Sequence, residues 1–307
     1  MRGIPISEPM DFLTIGAKRP GGAFNVGLIG EGQEIHLGEG GGLKQWNDAI
    51  AQSDAKWIVH CPEKIAHLFT DAMKVIVNES LNLTVTLRSH LVEDVDKWVE
   101  ALLDGDLDTA KGYSINIENE NFNIYVTQDL DIAKRYAMER YDSCEDKRYG
   151  IICSAKAKNL VPIGIDNGFY SMQRLSIGSW FNDPPASVNS CCSLRLPTTE
   201  FQCQGLELDL PIVCWGDDFY YSKGQWISKG KVRYKSKNPF QVTKNCYRVL
   251  LTRGRDGMII FVPSEGTFDT FDAIVESGAK ILYGYESINL VGEHILSVTA
   301  FDVKHDE

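Results

Sequence analysis

Helical and strand-like patterns alternate through the middle of the chain, and this alternation limits the fold more than any other feature of the sequence. Apolar residues recur at helical spacing over residues 91–102. A strand pattern at 122–126, a helical pattern at 130–141 and a second strand pattern at 149–153 follow. Strands that alternate with helices at this rhythm form βαβ units and a mostly parallel sheet. The sequence therefore predicts an α/β fold.

Further elements are predicted on both sides of this central region. Pro62 suits the first turn of a helix that continues through Ile65, Leu68 and Phe69. Residues 248–251 have the composition of a strand, but their context favours a helix. Predicted strands at 23–30, 56–60, 81–87, 210–215 and 258–262, and a helical pattern at 43–50, complete the assignment.

Composition excludes several other classes of protein. The chain has 307 residues, of which 43% are hydrophobic and 24% charged, as in a globular protein with a sizeable core. No apolar run approaches the roughly 20 residues that span a bilayer, and the N-terminal residues lack a signal-peptide pattern. The eight cysteines form no C-x-x-C pair and no zinc-ligand spacing. We expect reduced core thiols, no bound metal, no membrane partner and a cytoplasmic location.

The charge of the chain is unevenly distributed. The net charge is −11, yet residues 219–255 contain ten Lys or Arg and no Asp or Glu. In a strand, alternate residues share one face, which would place five cations together: Lys229, Lys231, Arg233, Lys235 and Lys237. Trp226, Tyr234 and Phe240 lie nearby, and aromatic rings beside cations suit single-stranded nucleic acid. The alternatives are a solvated basic face and a contact with another protein.

Four polar segments lie among the predicted helices and strands, at residues 28–34, 83–89, 199–207 and 245–255. Three of them, 28–34, 199–207 and 245–255, are predicted to lie just past a buried strand, where ligands bind in open α/β sheets. The fourth places Arg88 at a predicted strand-to-helix junction. Asp217 and Asp218 also follow a strand, and they favour a loop or helix cap over a cation site. The six histidines are scattered and indicate no nucleophile triad.

In this order, the four segments resemble motifs III to VI of superfamily 1 helicases and translocases. Motif III is similar to Gly30-Glu-Gly-Gln33, motif IV to Leu87-Arg88-Ser89, motif V to residues 199–207, and motif VI to Leu251-Thr-Arg-Gly-Arg255. Phrases such as GLIGEGQEI, WFNDPP, QGLELDLPIVCWGDD and YRVLLTRGRDG resemble the Schlafen group 3-like DNA/RNA helicase domain. The resemblance covers about residues 7–263. It implies a RecA-like P-loop NTPase/helicase fold.

The resemblance also implies roles for individual residues. Gln33, Arg88 and Arg253 would be catalytic, with Gln33 sensing the γ-phosphate and the arginines acting as fingers that stabilise its developing charge. Gly205, Glu207 and Arg255 would approach the nucleotide, and Thr199 would contact a nucleic-acid phosphate. ATP and Mg²⁺ are the cofactors expected for an intact family member.

The sequence departs from the family pattern at both Walker elements. The one Gly-Lys pair, Gly230-Lys231, is followed by valine, so no G-x-x-x-x-G-K-[ST] phosphate loop is present. The one Asp-Glu pair is Asp306-Glu307. We therefore expect a chain truncated within the first RecA-like domain, with a remnant at 1–80 and a complete second domain at 81–307, that holds neither cofactor alone. Its partners would be single-stranded DNA or RNA and a separate Walker-containing segment. The alternative is a non-enzymatic nucleic-acid-binding or protein-interaction module.

Overall fold

The computed structural model describes residues 7–27, 43–82, 90–229, 238–264 and 268–284. Its helices are α1 (Glu8–Ala17), α2 (Lys44–Ala51), α3 (Glu63–Ala66), α4 (His90–Asp104), α5 (Leu107–Asn119), α6 (Leu130–Arg140), α7 (Phe169–Arg174), α8 (Ile177–Asn182), α9 (Glu200–Cys203), α10 (Pro239–Leu251) and α11 (Phe268–Glu276). Its strands are β1 (Ile58–Cys61), β2 (Lys74–Val77), β3 (Asn123–Thr127), β4 (Tyr149–Cys153), β5 (Thr198–Thr199), β6 (Leu210–Cys214), β7 (Phe219–Ser222), β8 (Gln225–Ser228), β9 (Gly257–Phe261) and β10 (Lys280–Ile281).

The chain divides into two compact units. The first comprises residues 1–89 with 231–245, and the second comprises 90–230 with 246–307. The assignment of residues 1–80 as a remnant of a first RecA-like domain stays a prediction. In the described part of the chain, no helix has the length and apolar character needed to cross a membrane.

The first unit contains a small parallel pair of strands. β1 pairs with β2 from Ile58↔Lys74 to Cys61↔Val77. Leu13 of α1 and Ile50 of α2 are buried in one apolar cluster with Phe69. The strand expected at 56–60 is confirmed within one or two residues, whereas the helix expected after Pro62 lasts only one turn. Residues 23–27 form no regular structure, and the rest of the strand expected at 23–30 lies outside the described residues.

The second unit is built on a six-stranded parallel sheet with the order β10-β3-β9-β6-β4-β5. Every neighbouring pair of these strands is parallel. All residues of β4, β6 and β9 are buried, as expected for strands covered by helices on both faces. This sheet confirms the predicted α/β class, and its parallel architecture is that of Rossmann- and RecA-like domains.

Local sequence signals explain how the helices of this unit begin and pack. The Asp129 side chain caps α6 by accepting hydrogen bonds from the backbone N–H groups of Asp131 and Ile132, at 2.8 and 3.1 Å. Trp98 of α4 is fully buried, and its indole N–H donates to the carbonyl of Ser277 over 3.0 Å. Residues 248–251 belong to α10, so the helical alternative is confirmed.

A tight antiparallel hairpin follows the central strand β6. β7 pairs with β8 through a two-residue turn at Lys223 and Gly224, whose φ angles of 52° and 80° are both positive. This is the geometry of hairpin turns that match the twist of their strands. Trp226 of β8 stacks on Phe219 at a ring-centroid distance of 4.9 Å and on Trp215 at 5.2 Å. The hairpin therefore closes over an aromatic core.

Candidate functional site at the two edges of the sheet

The segments that resemble motifs V and VI meet at the amino edge of the six-stranded sheet. Residues 205–209 lead into β6, and residues 252–256 lead into β9. The backbone N–H of Leu208 donates to the carbonyl of Arg253 over 2.8 Å, and the N–H of Arg255 donates to the carbonyl of Leu208 over 2.9 Å. Asp256 N–H continues this pairing to the carbonyl of Asp209. The two segments are thus fixed to one another before either strand begins.

Arg253 is a buried residue of this edge, with 4% of its surface exposed. Its guanidinium donates from Nε to the carbonyl of Val249 over 2.8 Å and from Nη1 to the carbonyl of Leu206 over 3.1 Å. Nη2 donates to Oγ1 of Thr252 over 2.9 Å. The side chain therefore ties the end of α10 to the motif V segment. Its predicted role as an arginine finger stays a prediction.

Arg255 is the more accessible arginine, with 56% of its side chain exposed. Its Nε donates to Oε2 of Glu207 over 2.9 Å. Gly205 is exposed and has a φ of 85°, a conformation that glycine adopts at little cost. The structure thus brings together three of the residues assigned to the nucleotide by resemblance, Gly205, Glu207 and Arg255, on the segments that also carry Arg253.

The close approach of the backbone at Gly254 and Gly257 requires a glycine after Arg253. A Cβ atom at Gly254 would lie 2.3 Å from the carbonyl oxygen of Gly257 and 3.3 Å from the ring of Phe122. A larger residue could fit only if the backbone moved. The glycine in the Thr-Arg-Gly-Arg sequence is therefore explained by packing.

Lys147 braces the same edge from a third segment. Its ammonium group lies 2.7 Å from Oδ2 of Asp256 and 3.2 Å from Oδ1 of Asp209. The Tyr141 hydroxyl also donates to Oδ2 of Asp256 over 3.0 Å, and burial raises the pKa of that hydroxyl. Hydrogen bonds to the two carboxylates raise the pKa of Lys147. Sequence reasoning missed this brace because its members are distant along the chain.

The expected placement of these residues is wrong in one respect. The sequence predicted that the segments at 28–34, 199–207 and 245–255 lie just past buried strands, at the carboxyl edge. Thr199 does end β5 at that edge, but Glu207, Arg253 and Arg255 lie just before β6 and β9, at the opposite edge. The apolar residues before Arg253 form the end of helix α10 and not a strand. The arginines therefore lie before β9, where the chain enters the sheet, and not after a strand.

The carboxyl edge contains a buried polar cluster. Thr199 is 1% exposed and forms a capping box with Gln202 at the start of α9. In this structure its hydroxyl is therefore directed to Gln202 and is shielded from solvent, which does not favour the contact with a nucleic-acid phosphate that the resemblance implies.

Two carboxylates lie beneath this edge. Asp218 accepts hydrogen bonds from the hydroxyls of Ser154 and Tyr247, both over 2.7 Å. Glu200 is fully buried and accepts from the backbone N–H of Ala155 over 2.8 Å. Its other oxygen, Oε1, has no N–H or O–H partner among the described residues, although the weakly donating Cys246 thiol lies beside the carboxylate. Burial raises the pKa of both carboxyl groups.

The Asp217-Asp218 pair has the structural role favoured by the sequence. The backbone N–H of Asp217 donates to Oδ1 of Asn159 over 2.9 Å, and its carboxylate lies 3.3 Å from the ammonium group of Lys229. Within the residues that the structure describes, no group of three or more His, Cys, Asp and Glu side chains could hold a metal ion. With no phosphate loop in the sequence, the side chains at these edges do not make a complete ATP–Mg²⁺ site.

The proposed basic face is described only at its beginning. Lys229 is about half exposed and lies over the ring of Tyr220 at 5.2 Å. Trp226 is 6% exposed, and its indole N–H donates to the carbonyl of Leu102 over 2.6 Å. Base stacking requires a free ring face, so the structure gives Trp226 a core position and contradicts its predicted role. Lys231, Arg233, Lys235 and Lys237 lie outside the described residues, as do Gln33 and Arg88.

The parallel sheet defines the class as an α/β protein of Rossmann- or RecA-like architecture. The chain belongs to the family described as Schlafen group 3, DNA/RNA helicase domain, whose sequence model matches residues 8–264. Among curated proteins, no match was found. Membership in this family indicates a helicase-like role and interaction with nucleic acid.

Proposed function

We propose that this chain is the C-terminal part of a superfamily 1-like, ATP-dependent DNA or RNA helicase or translocase. The observation that carries the proposal is the direct pairing of the motif V and motif VI segments at the amino edge, through the 2.8 Å bond from Leu208 N–H to the Arg253 carbonyl. Family membership supports the same conclusion. In this proposal Arg253 and Arg88 supply the arginine fingers, and Arg255, Glu207 and Gly205 approach the nucleotide.

The chain depends on a phosphate loop carried by another polypeptide segment in this proposal. No G-x-x-x-x-G-K-[ST] sequence is present in the 307 residues, and such a loop supplies the backbone amides and lysine that hold the β- and γ-phosphates. We therefore expect the chain alone to bind single-stranded nucleic acid without hydrolysing ATP.

The test is steady-state ATP hydrolysis by the chain alone, with and without a single-stranded oligonucleotide. The expected result is no turnover above the buffer background, together with measurable oligonucleotide binding. One result would contradict the dependence on a separate phosphate-loop segment. It is ATP turnover near 1 per second, within the usual range for enzymes, that is lost in Arg255→Ala or Arg253→Lys. Arg253→Lys keeps a cation at a buried position, and the melting temperature of each variant controls for misfolding.

A non-enzymatic nucleic-acid-binding module is the second candidate, and one observation favours it. The guanidinium of Arg253 already donates to two backbone carbonyls and one hydroxyl of the protein. If Arg253 has only this structural role, the chain could bind nucleic acid without hydrolysing ATP. If a phosphate-loop segment from a family member is added and no ATP turnover results, this second candidate is favoured.

A further inference from the structure

The carboxyl edge of the sheet presents two large aromatic rings to solvent. Phe169 is 73% exposed and Tyr170 is 76% exposed, at the start of the short helix α7. Their ring centroids lie 5.7 Å apart in an edge-to-face arrangement. Aromatic side chains of this size normally bury most of their surface, so two adjacent exposed rings need a functional explanation.

Hydrogen bonds fix the chain just before these rings to the end of strand β4. The side-chain amide of Asn167 is buried and donates to the carbonyls of Ser154 and Ala157, over 2.7 and 2.9 Å. Ser154 directly follows β4, so the two residues after Gly168 are held at the carboxyl edge. Met172, one turn along α7, is buried. The backbone just before the rings is therefore anchored before any ligand binds, which lowers the entropy cost of ordering this segment on binding.

The carboxylate of Asp166 stabilises the start of the same helix. It accepts hydrogen bonds from the backbone N–H of Gly168, over 3.0 Å, and from the Ser171 hydroxyl. These bonds lower the pKa of the Asp166 carboxyl group, with the Ser171 hydroxyl as the larger cause. The acid therefore serves as a local support for the helix that carries the rings.

The segment that carries the rings is basic, although the chain as a whole is acidic. Residues 154–174 contain Lys156, Lys158 and Arg174, all exposed, and Asp166 as their one acidic residue. Arg174 lies four residues after Tyr170 in α7, so the two side chains share one helix face. Lys156 and Lys158 lie within or beside the loop that Asn167 anchors. Exposed aromatic rings flanked by cations match the bases and phosphates of a single strand.

We propose that Phe169 and Tyr170 form a stacking platform for the bases of single-stranded nucleic acid, with Lys156, Lys158 and Arg174 contacting the phosphates. This inference rests on the proposed function. It places the bound nucleic acid at the carboxyl edge of the sheet, away from Arg253 and Arg255 of the motif VI segment. Stacking tolerates every base, so the platform binds without strong sequence preference.

The test is fluorescence anisotropy of a labelled thymidine oligonucleotide with the full chain at several salt concentrations. Phe169→Ala/Tyr170→Ala is expected to weaken binding about tenfold or more with the salt slope unchanged. Lys156→Ala/Lys158→Ala/Arg174→Ala is expected to make the log–log slope shallower by about 2 units, since each phosphate contact contributes about 0.7. Phe169→Trp/Tyr170→Trp should retain binding, and a ribo-oligonucleotide of the same length tests RNA.

The matched controls lie on α5, which packs against α4, α11 and β3. Ile115 is 60% exposed there, so Ile115→Ala removes a comparable exposed apolar side chain, and Lys111→Ala removes an exposed cation. Both should bind like the parent chain. Melting temperatures should be unchanged in all variants, because every substituted side chain is exposed.

The outcomes separate this inference from the proposed function. If the parent chain binds no oligonucleotide at any salt concentration, nucleic-acid binding itself fails and the platform fails with it. If the parent binds and Phe169→Ala/Tyr170→Ala binds equally well, the platform is wrong while the proposed function stands. If that variant changes only the oligomeric state measured by light scattering, the rings form a contact between copies of the chain, which also overturns the inference.

Discussion

The two edges of the six-stranded sheet differ in how their charged side chains are arranged. At the amino edge the charges are paired: Arg255 lies 2.9 Å from Glu207, and Lys147 lies within 3.2 Å of two aspartates. At the carboxyl edge Glu200 is buried without a cationic hydrogen-bond partner among the described residues, and the exposed cations and aromatic rings of residues 154–174 lie at the same edge. The amino edge is thus suited to hold two chain segments in a fixed geometry. The carboxyl edge offers a surface on which a polyanion can bind.

The largest expected effect distinguishes the interior of the carboxyl edge from its surface. Trp226→Ala should lower the free energy of unfolding by about 3–5 kcal/mol, because the buried ring packs against Phe219 and Trp215. Tyr170→Ala should change it by less than about 0.5 kcal/mol, since most of that residue is exposed. Urea denaturation of both variants measures the difference. Equal losses of unfolding free energy in the two variants would contradict this difference in burial.

A smaller effect on stability, of opposite sign at the two positions, is expected for substitutions of Glu200 and Glu207. Burial raises the pKa of Glu200 in the folded state, so ionisation costs the folded chain stability as the pH rises from about 4 through the folded pKa. Glu200→Gln removes this cost and should stabilise the chain by on the order of 1 kcal/mol above that pKa. The advantage should vanish in acid, where the carboxyl group is protonated in both states.

Glu207→Gln is the matched control at the amino edge. It replaces a carboxylate paired with Arg255 and should destabilise the chain by about 0–1 kcal/mol near neutral pH. Thermal melts of both variants across a pH series give the comparison. Destabilisation by Glu200→Gln that grows with pH would contradict the account of the buried carboxylate.

The sequence is informative wherever the signal is local. The strand at residues 149–153 and the helix from 130 are recovered because short apolar runs and helical spacing report burial directly. The helix α1 at Glu8–Ala17 was not predicted. The Lys223-Gly224 turn was not predicted either, although a glycine between two aromatic runs was an available signal.

The site is harder to predict because its geometry depends on residues far apart in the chain. The segment from 219 to 255 lacks acidic residues in sequence, yet acids from elsewhere lie beside its cations in space. Lys229 lies 3.3 Å from Asp217, Arg255 pairs with Glu207, and Arg248 lies 3.5 Å from Glu100. An acid-free sequence window is therefore a weak predictor of a free basic surface.

Hydrogen exchange measured by mass spectrometry, with and without a thymidine oligonucleotide, tests the division between the two edges most directly. We predict that the oligonucleotide slows exchange in peptides covering residues 154–174, where the Asn167 anchor and the rings of Phe169 and Tyr170 lie. Exchange in peptides covering 205–209 and 252–256 should be unchanged. Protection confined to the amino-edge peptides, with no change at 154–174, would contradict it.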